Sequence, residues 1–266
     1  MHEKSACWKT MTRRRFFAPP GAFAEDAVTL APEEARHLRD VLRLEAGDEA
    51  FVFDGEGREY RCTIREIGRG RDATAVLEVR ESVAAASNES PLQLTLGLAL
   101  LKGEKFDLVV QKATELGVMR IMPVVTTRSD VRLRDAADAQ RRRARWQRVA
   151  LEAAKQSGRA RVPQIDEPIT FEKLMESLSA SDETPRVMFA ERAGGKLSDA
   201  VAEWRSGKSV GLVALVGAEG GWTDEEIARA SQAGWRVVTL GGRILRAETA
   251  AITVTALLQH LCGDLI

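Results

Sequence analysis

The run "GLVALVGAEGGWTDEEIARASQAGWRVVTLGGRILRAETAA", Gly211 to Ala251, decides the fold. It opens on a near-continuously apolar segment, as a strand covered on both faces of a parallel sheet requires. After a glycine-rich turn comes "TDEEIARASQAG", where Thr223 can cap a helix, Glu226 completes a capping box and Gly234 ends it. "WRVVTL" then reads as a second buried strand, a second glycine turn follows, and "AETAAITVTALLQHL" closes the chain as an apolar helix. Strand, helix, strand, helix is the signature of the α/β class.

Both turns fall at the carboxyl ends of strands, where open α/β sheets bind ligands. In "VGAEGGW", Gly217, Gly220 and Gly221 let backbone approach a ligand closely. Glu219 between them repels a phosphate, so the loop suits a neutral or cationic ligand. In "LGGRILRAETAA", Gly241 and Gly242 allow a tight path while Arg243 and Arg246 offer planar donor forks. Either turn alone is compatible with a ligand-free connection, and the arginines with a cap or a pair to Glu248. Two such turns at neighbouring strand ends are expected to share one site.

Working back from this region, "RVMFA", "VMRIMPVV" and "LQLTLGLAL" supply further strands. "GEKFDLVVQKATELG" is a helix with Phe106, Val109, Val110, Ala113 and Leu116 inward and Gly117 as its stop. "DAQRRRARWQRVALEAAKQSG" is an arginine-rich helix around a core-facing Trp146. Before Pro91 the pattern changes. "ESVAAASNESP" has the composition of a linker, and the residues before it read as strands and tight turns. "EAFVFDGEGREYRCTIREI" is expected to be a hairpin. "APEEARHLRDVLRL" is expected to be a short helix with Ala35, Leu38, Val41 and Leu42 on one side. His37 on that helix reads as a surface residue. A small β-rich domain at about 11–84 and an α/β domain at 91–266 follow.

Composition narrows the classes. No run approaches the roughly 20 apolar residues of a membrane helix, and the charged start lacks the apolar core of a secretory signal. Cys7, Cys62 and Cys262 are far apart with no C-x-x-C pair, which argues for a reducing, cytoplasmic setting and against a cysteine metal site. His2, His37 and His260 have no metal spacing. "SGKS" at Ser206 to Ser209 resembles the end of a phosphate loop, but the glycine that motif needs at position 202 is Ala202. Lys and Arg total 39, equal to Asp and Glu, yet they segregate: Arg128 to Arg161 holds eleven bases against four acids. A basic stripe can bind phosphates on a neutral chain, although a solvated helix face has the same composition.

The residues "VGAEGGWTDEEI…LGGRILRAETAAITV" resemble the S-adenosylmethionine-binding region of the SPOUT methyltransferases, and within these the 16S ribosomal RNA uridine-N3 methyltransferases, commonly called RsmE. "RRFFAPPG", "LLKGEKFDLVVQKATELGV" and "EAAKQSGR" fit in the same order, so the likeness runs over nearly the whole chain. It departs at Ala218, where the family commonly has proline, a change that loosens the turn without removing an amide. The extra leader Met1 to Thr10 has no assigned role.

The resemblance implies a PUA-like RNA-binding β-barrel followed by a SPOUT domain with a deep trefoil knot, its knot and cofactor site within about 190–260. It also implies a homodimer packed through the knot, acting on 16S ribosomal RNA or the small ribosomal subunit, with no metal and no membrane. S-adenosyl-L-methionine is expected against Leu215, Val216, Gly217, Glu219, Gly220, Gly221, Leu240, Gly241, Arg243, Ile244, Leu245, Arg246, Thr249 and Ala250. Arg246 is expected to stabilise negative charge on the uracil oxygens. Glu219 or Glu248 takes the N3 proton or holds Arg246, and the sequence does not separate these roles. Phosphate contacts are expected from Arg13, Arg14 and Arg15 in the small domain, and from Lys102, Lys105, Lys155, Gln156 and Arg159 in the other. The competing readings are a SPOUT enzyme acting on another base or a ribose 2′-oxygen, and a non-catalytic RNA-binding protein.

Overall fold

In the computed structural model, which describes residues 13–177, 184–205 and 211–265, the chain divides into two units. One runs to Asn88 and takes in Gly158–Arg161, and the other comprises Glu89–Ser157 and Val162–Ile266. The leader with His2 and Cys7, the first two residues of the expected 11–84 domain and the "SGKS" run lie outside the described residues.

The first unit contains β1 (Arg15–Phe17), β2 (Phe23–Ala24), β3 (Ala27–Leu30), α1 (Pro32–Arg36), β4 (Glu49–Phe53), β5 (Glu59–Ile67) and β6 (Ala75–Val83). Its sheet order is β1-β4-β5-β6-β3-β2, antiparallel except for the parallel β1–β4 pair. The strands surround one core that includes Phe16, Val28, Leu30, Leu38, Val52, Ile64 and Leu77, and no ladder joins β1 to β2 among the described residues. The hairpin expected around "DGEG" forms: Asp54 Oδ1 accepts from the N–H groups of Glu56 (2.8 Å) and Arg58 (3.0 Å).

The expected helix at 31–44 is shorter and changes type. After Arg36 a π turn spans His37–Val41, closed by the Leu42 N–H to His37 O at 3.0 Å. The wider turn rotates the apolar stripe. Ala35 and Leu38 stay fully buried, whereas Val41 is 68% exposed and Leu42 37%. His37 is half-buried and sets its ring edge-on to Phe16 at 5.8 Å, so it is not a simple surface residue.

A buried carboxylate organises this unit. Glu59 is fully buried and accepts from Arg13 Nη1 (3.1 Å), Arg15 Nη2 (3.0 Å) and the Ala86 N–H (3.1 Å). The Arg13 and Arg15 guanidinium groups also lie over the rings of Phe51 and Phe53. Arg15 Nη2 reaches on to Arg159 O at 3.0 Å, Gly57 N–H donates to Ala160 O at 3.1 Å, and Ser87 N–H to Gly158 O at 3.0 Å. These bonds tie the late segment Gly158–Arg161 into a unit built otherwise from the first third of the chain.

The second unit contains β7 (Gln93–Ala99), α2 (Lys105–Glu115), β8 (Arg120–Val125), α3 (Ala136–Ser157), β9 (Gln164–Ile165), β10 (Ile169–Thr170), α4 (Phe171–Ser177), β11 (Arg186–Phe189), α5 (Leu197–Arg205), β12 (Gly211–Val216), α6 (Asp224–Gln232), β13 (Arg236–Val238) and α7 (Ala247–Cys262). The order β10-β8-β7-β12-β11-β13 is parallel throughout, with β9 also on β8. Alternate residues of β12 serve two cores. Leu212, Ala214 and Val216 pack with residues of α2, α3, α5 and α7, while Val213 and Leu215 pack with those of α4 and α6. Helices on both faces are why each strand reads as a continuous apolar run.

The capping box on α6 forms in both directions: Glu226 N–H to Thr223 Oγ1 at 3.1 Å, and Thr223 N–H to Glu226 Oε2 at 2.9 Å. Thr223→Ala is expected to cost about 1 kcal/mol, a melting decrease of about 2–4 °C in a domain of this size by scanning calorimetry.

Candidate active site at three strand ends

The strands after which both glycine turns occur are not neighbours, contrary to expectation. β11 lies between β12 and β13, with Phe189 paired to Val216 on one side and to Val238 on the other. Three chains therefore leave the sheet at one level. The loop after β11 folds back over the end of β13 through Gly194 N–H to Thr239 Oγ1 and Thr239 N–H to Gly195 O, both 3.0 Å. A β-carbon on Gly194 would lie 2.4 Å from the Val238 carbonyl carbon, so only glycine permits this approach. In the turn after β13, Gly241 and Gly242 both adopt positive φ, 75° and 77°, where side-chain-bearing residues are strained.

Between these loops lies a cavity of about 410 Å³, within the range of small-molecule sites. Of the expected cofactor residues, Val216, Gly217, Glu219, Gly221, Leu240, Gly241, Arg243, Ile244, Leu245, Arg246 and Ala250 line it. Leu215 is instead fully buried in the core on the α4 and α6 side, Gly220 packs against Arg128, and Thr249 is exposed on α7 off the lining. Lining residues outside the expected cofactor set are Phe189 at the end of β11, Ala190 and Glu191 after it, and Ala218, Trp222, Thr239, Gly242 and Ala247 in or beside the two glycine turns. The signal for the first three was present: "RVMFA" reads as a parallel strand, and its carboxyl end belongs to the same edge as the other two. Trp222 lies over Gly217 and donates its indole N–H to Phe189 O at 2.9 Å, joining two of the loops.

Among the described residues neither Glu219 nor Glu248 pairs with Arg246, which was one of the two roles expected of them. Lys105 Nζ sits 3.0 Å from Glu219 and 3.7 Å from Glu248. Partial burial pushes the Glu219 carboxyl up, but hydrogen bonds from its own N–H, from Lys105 and from the Lys102 N–H together outweigh this and hold it below the usual carboxylate range. A carboxylate so stabilised is a weak base. Arg243 and Arg246 are exposed, and among the described residues neither has an ion-pair partner. Arg128 braces the glycine turn from outside, donating to Gly220 O (3.2 Å) and Trp222 O (3.0 Å).

The expected phosphate contacts separate by exposure. Arg14 and Gln156 are exposed, and Lys102 is exposed but paired with Asp130 at 2.7 Å. Lys155 is mostly buried beside Glu152, Arg159 is 2% exposed, and Arg13 and Arg15 are engaged with Glu59. The arginine-rich face of α3 is largely neutralised by acids from other elements and its own first turn. Arg145 pairs with Asp107, Arg143 with Glu167, and Arg141 and Arg142 with Asp138. Among the described residues no His, Cys, Asp and Glu cluster could hold a metal, and no helix is long and apolar enough to cross a membrane.

Comparison with known proteins extends this picture. A family model described as an RNA methyltransferase domain matches residues 88–259, and one described as an RNA methyltransferase PUA domain matches residues 30–72. The ribosomal RNA small subunit methyltransferase E of Synechocystis sp. is 34% identical over 261 residues, covering 98% of this chain and 82% of that one. That of Bacillus subtilis is 30% identical over 239 residues, covering 89% and 91%. Among solved structures, the ribosomal RNA small subunit methyltransferase E of Neisseria gonorrhoeae, bound to S-adenosyl methionine, has a TM-score of 0.82 at 33% identity over 96% of this chain and 100% of that one. A methyltransferase of Legionella pneumophila in complex with the same cofactor has a TM-score of 0.80 at 28% identity over 95% and 99%. Likeness at this level, over nearly the full length of the chain, makes it a member of the ribosomal RNA small subunit methyltransferase E family.

Proposed function

We propose that the protein transfers a methyl group from S-adenosylmethionine to N3 of a uridine in 16S ribosomal RNA. The observation that carries this reading is the single cavity shared by both glycine turns, with an arginine at its rim that has no ion-pair partner among the described residues. The residues present suit the cofactor. Phe189, Val216, Leu240 and Leu245 offer apolar walls for a flat base, glycine backbone allows close approach, and Glu191 and Glu219 favour a ligand bearing positive charge. When bound, S-adenosylmethionine supplies a methyl group on positively charged sulfur, so the protein has only to present a nucleophile in line.

Uridine N3 carries a proton and attacks poorly until it leaves. Arg246, through its planar donor fork, stabilises the negative charge that then spreads onto the uracil oxygens. Glu219, kept ionised by Lys105 and two N–H groups, is the poorer proton acceptor of the two glutamates. Glu248 Oε2 accepts no hydrogen bond among the described residues and is the better candidate for receiving or relaying the N3 proton. The base reaches such a pocket from an unpaired or flipped position.

The same reading places RNA recognition in a PUA-like domain at 11–84 and catalysis at 91–266. A deep trefoil knot lies in about 190–260 and a homodimer packs through it, in the cytoplasm where small subunits are found. Arg14 and Gln156, being exposed, are the leading polar contacts to RNA in their respective units.

Purified small subunits lacking the modification, incubated with the protein and methyl-labelled S-adenosylmethionine, are expected to yield 3-methyluridine as the labelled nucleoside on digestion. Another labelled nucleoside overturns the uridine assignment. No heat of binding with S-adenosylhomocysteine, together with retained RNA binding, selects a non-catalytic RNA-binding protein.

A further inference from the structure

In the reaction just described Lys105 enters only as a cation that keeps Glu219 ionised. It opens α2, far in sequence from either glycine turn, yet it pairs with Glu219, which lines the cavity, and with Glu248, which lies off the lining at the start of α7. Glu219 belongs to the turn after β12, and Glu248 lies two residues beyond Arg246 in the first turn of α7. Both oxygens are within ion-pair distance of one nitrogen, which puts them no more than about 7 Å apart. The trio is partly withdrawn from water, with side-chain exposures of 37% for Lys105, 26% for Glu219 and 13% for Glu248. Glu248 Oε2, the oxygen nearest the ammonium, is buried and has no hydrogen bond among the described residues.

We infer that Lys105 is a positioning residue: by bridging Glu219 and Glu248 it holds the two glycine turns at the separation that the cavity and Arg246 require. The inference rests on the reading of the cavity as a cofactor site. Without the ammonium, two half-buried carboxylates face each other and repel, more strongly than they would in water. On its other side the turn after β12 is braced by Arg128 through Gly220 O and Trp222 O, so repulsion opens the cavity side. The expectation of Lys105 as a phosphate contact gives way to this internal role.

The charged groups around Glu219 are Lys105, Lys102 with its Asp130 partner, and Glu248, while Glu191 and Arg246 line the same cavity. Calorimetric titration of S-adenosylhomocysteine into wild-type protein, Lys105→Met and Lys105→Arg at about pH 7.5 and about pH 5 tests the role. Lys105→Met is expected to bind about tenfold more weakly near pH 7.5, with Lys105→Arg recovering most of the loss. Near pH 5 the methionine variant regains affinity, because two facing carboxylates that have lost their shared cation favour taking up a proton between them, which relieves the repulsion. Wild type changes little between the two pH values, since Glu219 stays ionised.

Unchanged affinity and an unchanged pH profile in Lys105→Met overturn the inference. So does an equal loss in both variants with no pH dependence, which marks simple packing. Failure of the wild-type protein to bind S-adenosylhomocysteine is a separate result, and it removes the cofactor reading along with this inference.

Discussion

Replacing Arg246 by alanine is expected to lower methyl transfer at saturating donor and RNA by a factor on the order of 10²–10³, while S-adenosylhomocysteine affinity stays within about threefold of wild type. The expectation follows from how the residue is held. Arg246 is the N-cap of α7, with extended backbone at φ −64° and ψ 151°, and its carbonyl accepts from Ala250 N–H at 2.8 Å. None of this uses the side chain, so alanine leaves the helix start intact. The exposed guanidinium lines the cavity and has no ion-pair partner among the described residues, so its charge is available to a ligand. Arg246→Lys should recover little, because a point charge does not reproduce two parallel donors. Single-turnover measurements on small subunits separate the step from binding. A loss confined to KM, with kcat unchanged, removes Arg246 from charge stabilisation.

The second large effect is on stability. Glu59→Ala removes a fully buried carboxylate and with it the ion pair made by Arg15, whose side chain is 7% exposed. Breaking a buried pair on one side costs about 3–5 kcal/mol. For a unit of this size that corresponds to a fall in melting temperature of roughly 12–40 °C. The Arg13 contact adds less, since that side chain is 31% exposed and screened by water. Glu59→Gln should fall between, keeping hydrogen bonds without the charge. Calorimetry of the full chain measures both, and a loss below about 1 kcal/mol in the alanine variant, the scale of an exposed pair, contradicts the account. The same variant should release Gly158–Arg161, visible as faster amide exchange at Ala160.

Much of the fold was legible because its signals are local. The capping box at Thr223 and Glu226, the positive-φ glycines Gly117 and Gly234, and the hairpin at Asp54 to Arg58 each depend on residues a few positions apart. Helix periodicity marked Phe106, Val109, Val110, Ala113 and Leu116 as inward; the first four are buried and Leu116, at the helix end, is half-buried. The expected α1 stripe failed where a π turn changed the period, which apolar spacing does not encode. The elements β9, β10, α4 and α5 escaped notice because the strands are two residues long and the helices only seven and nine.

The candidate site divides along the same line. By itself the sequence determined that two glycine turns end apolar strands in an α/β domain, since glycine at a strand end and continuous apolar runs are local requirements. It also placed Glu219 and Arg246 on those turns. Only the tertiary structure decided that β11 runs between β12 and β13 and adds Glu191 to the cavity, that Lys105 joins Glu219 to Glu248, and that Glu59 holds Arg13 and Arg15 inside the first unit. Strand order and ion-pair partners depend on which distant segments pack together. A charged residue looks the same in sequence whether its partner is solvent, a phosphate or a carboxylate more than a hundred residues away.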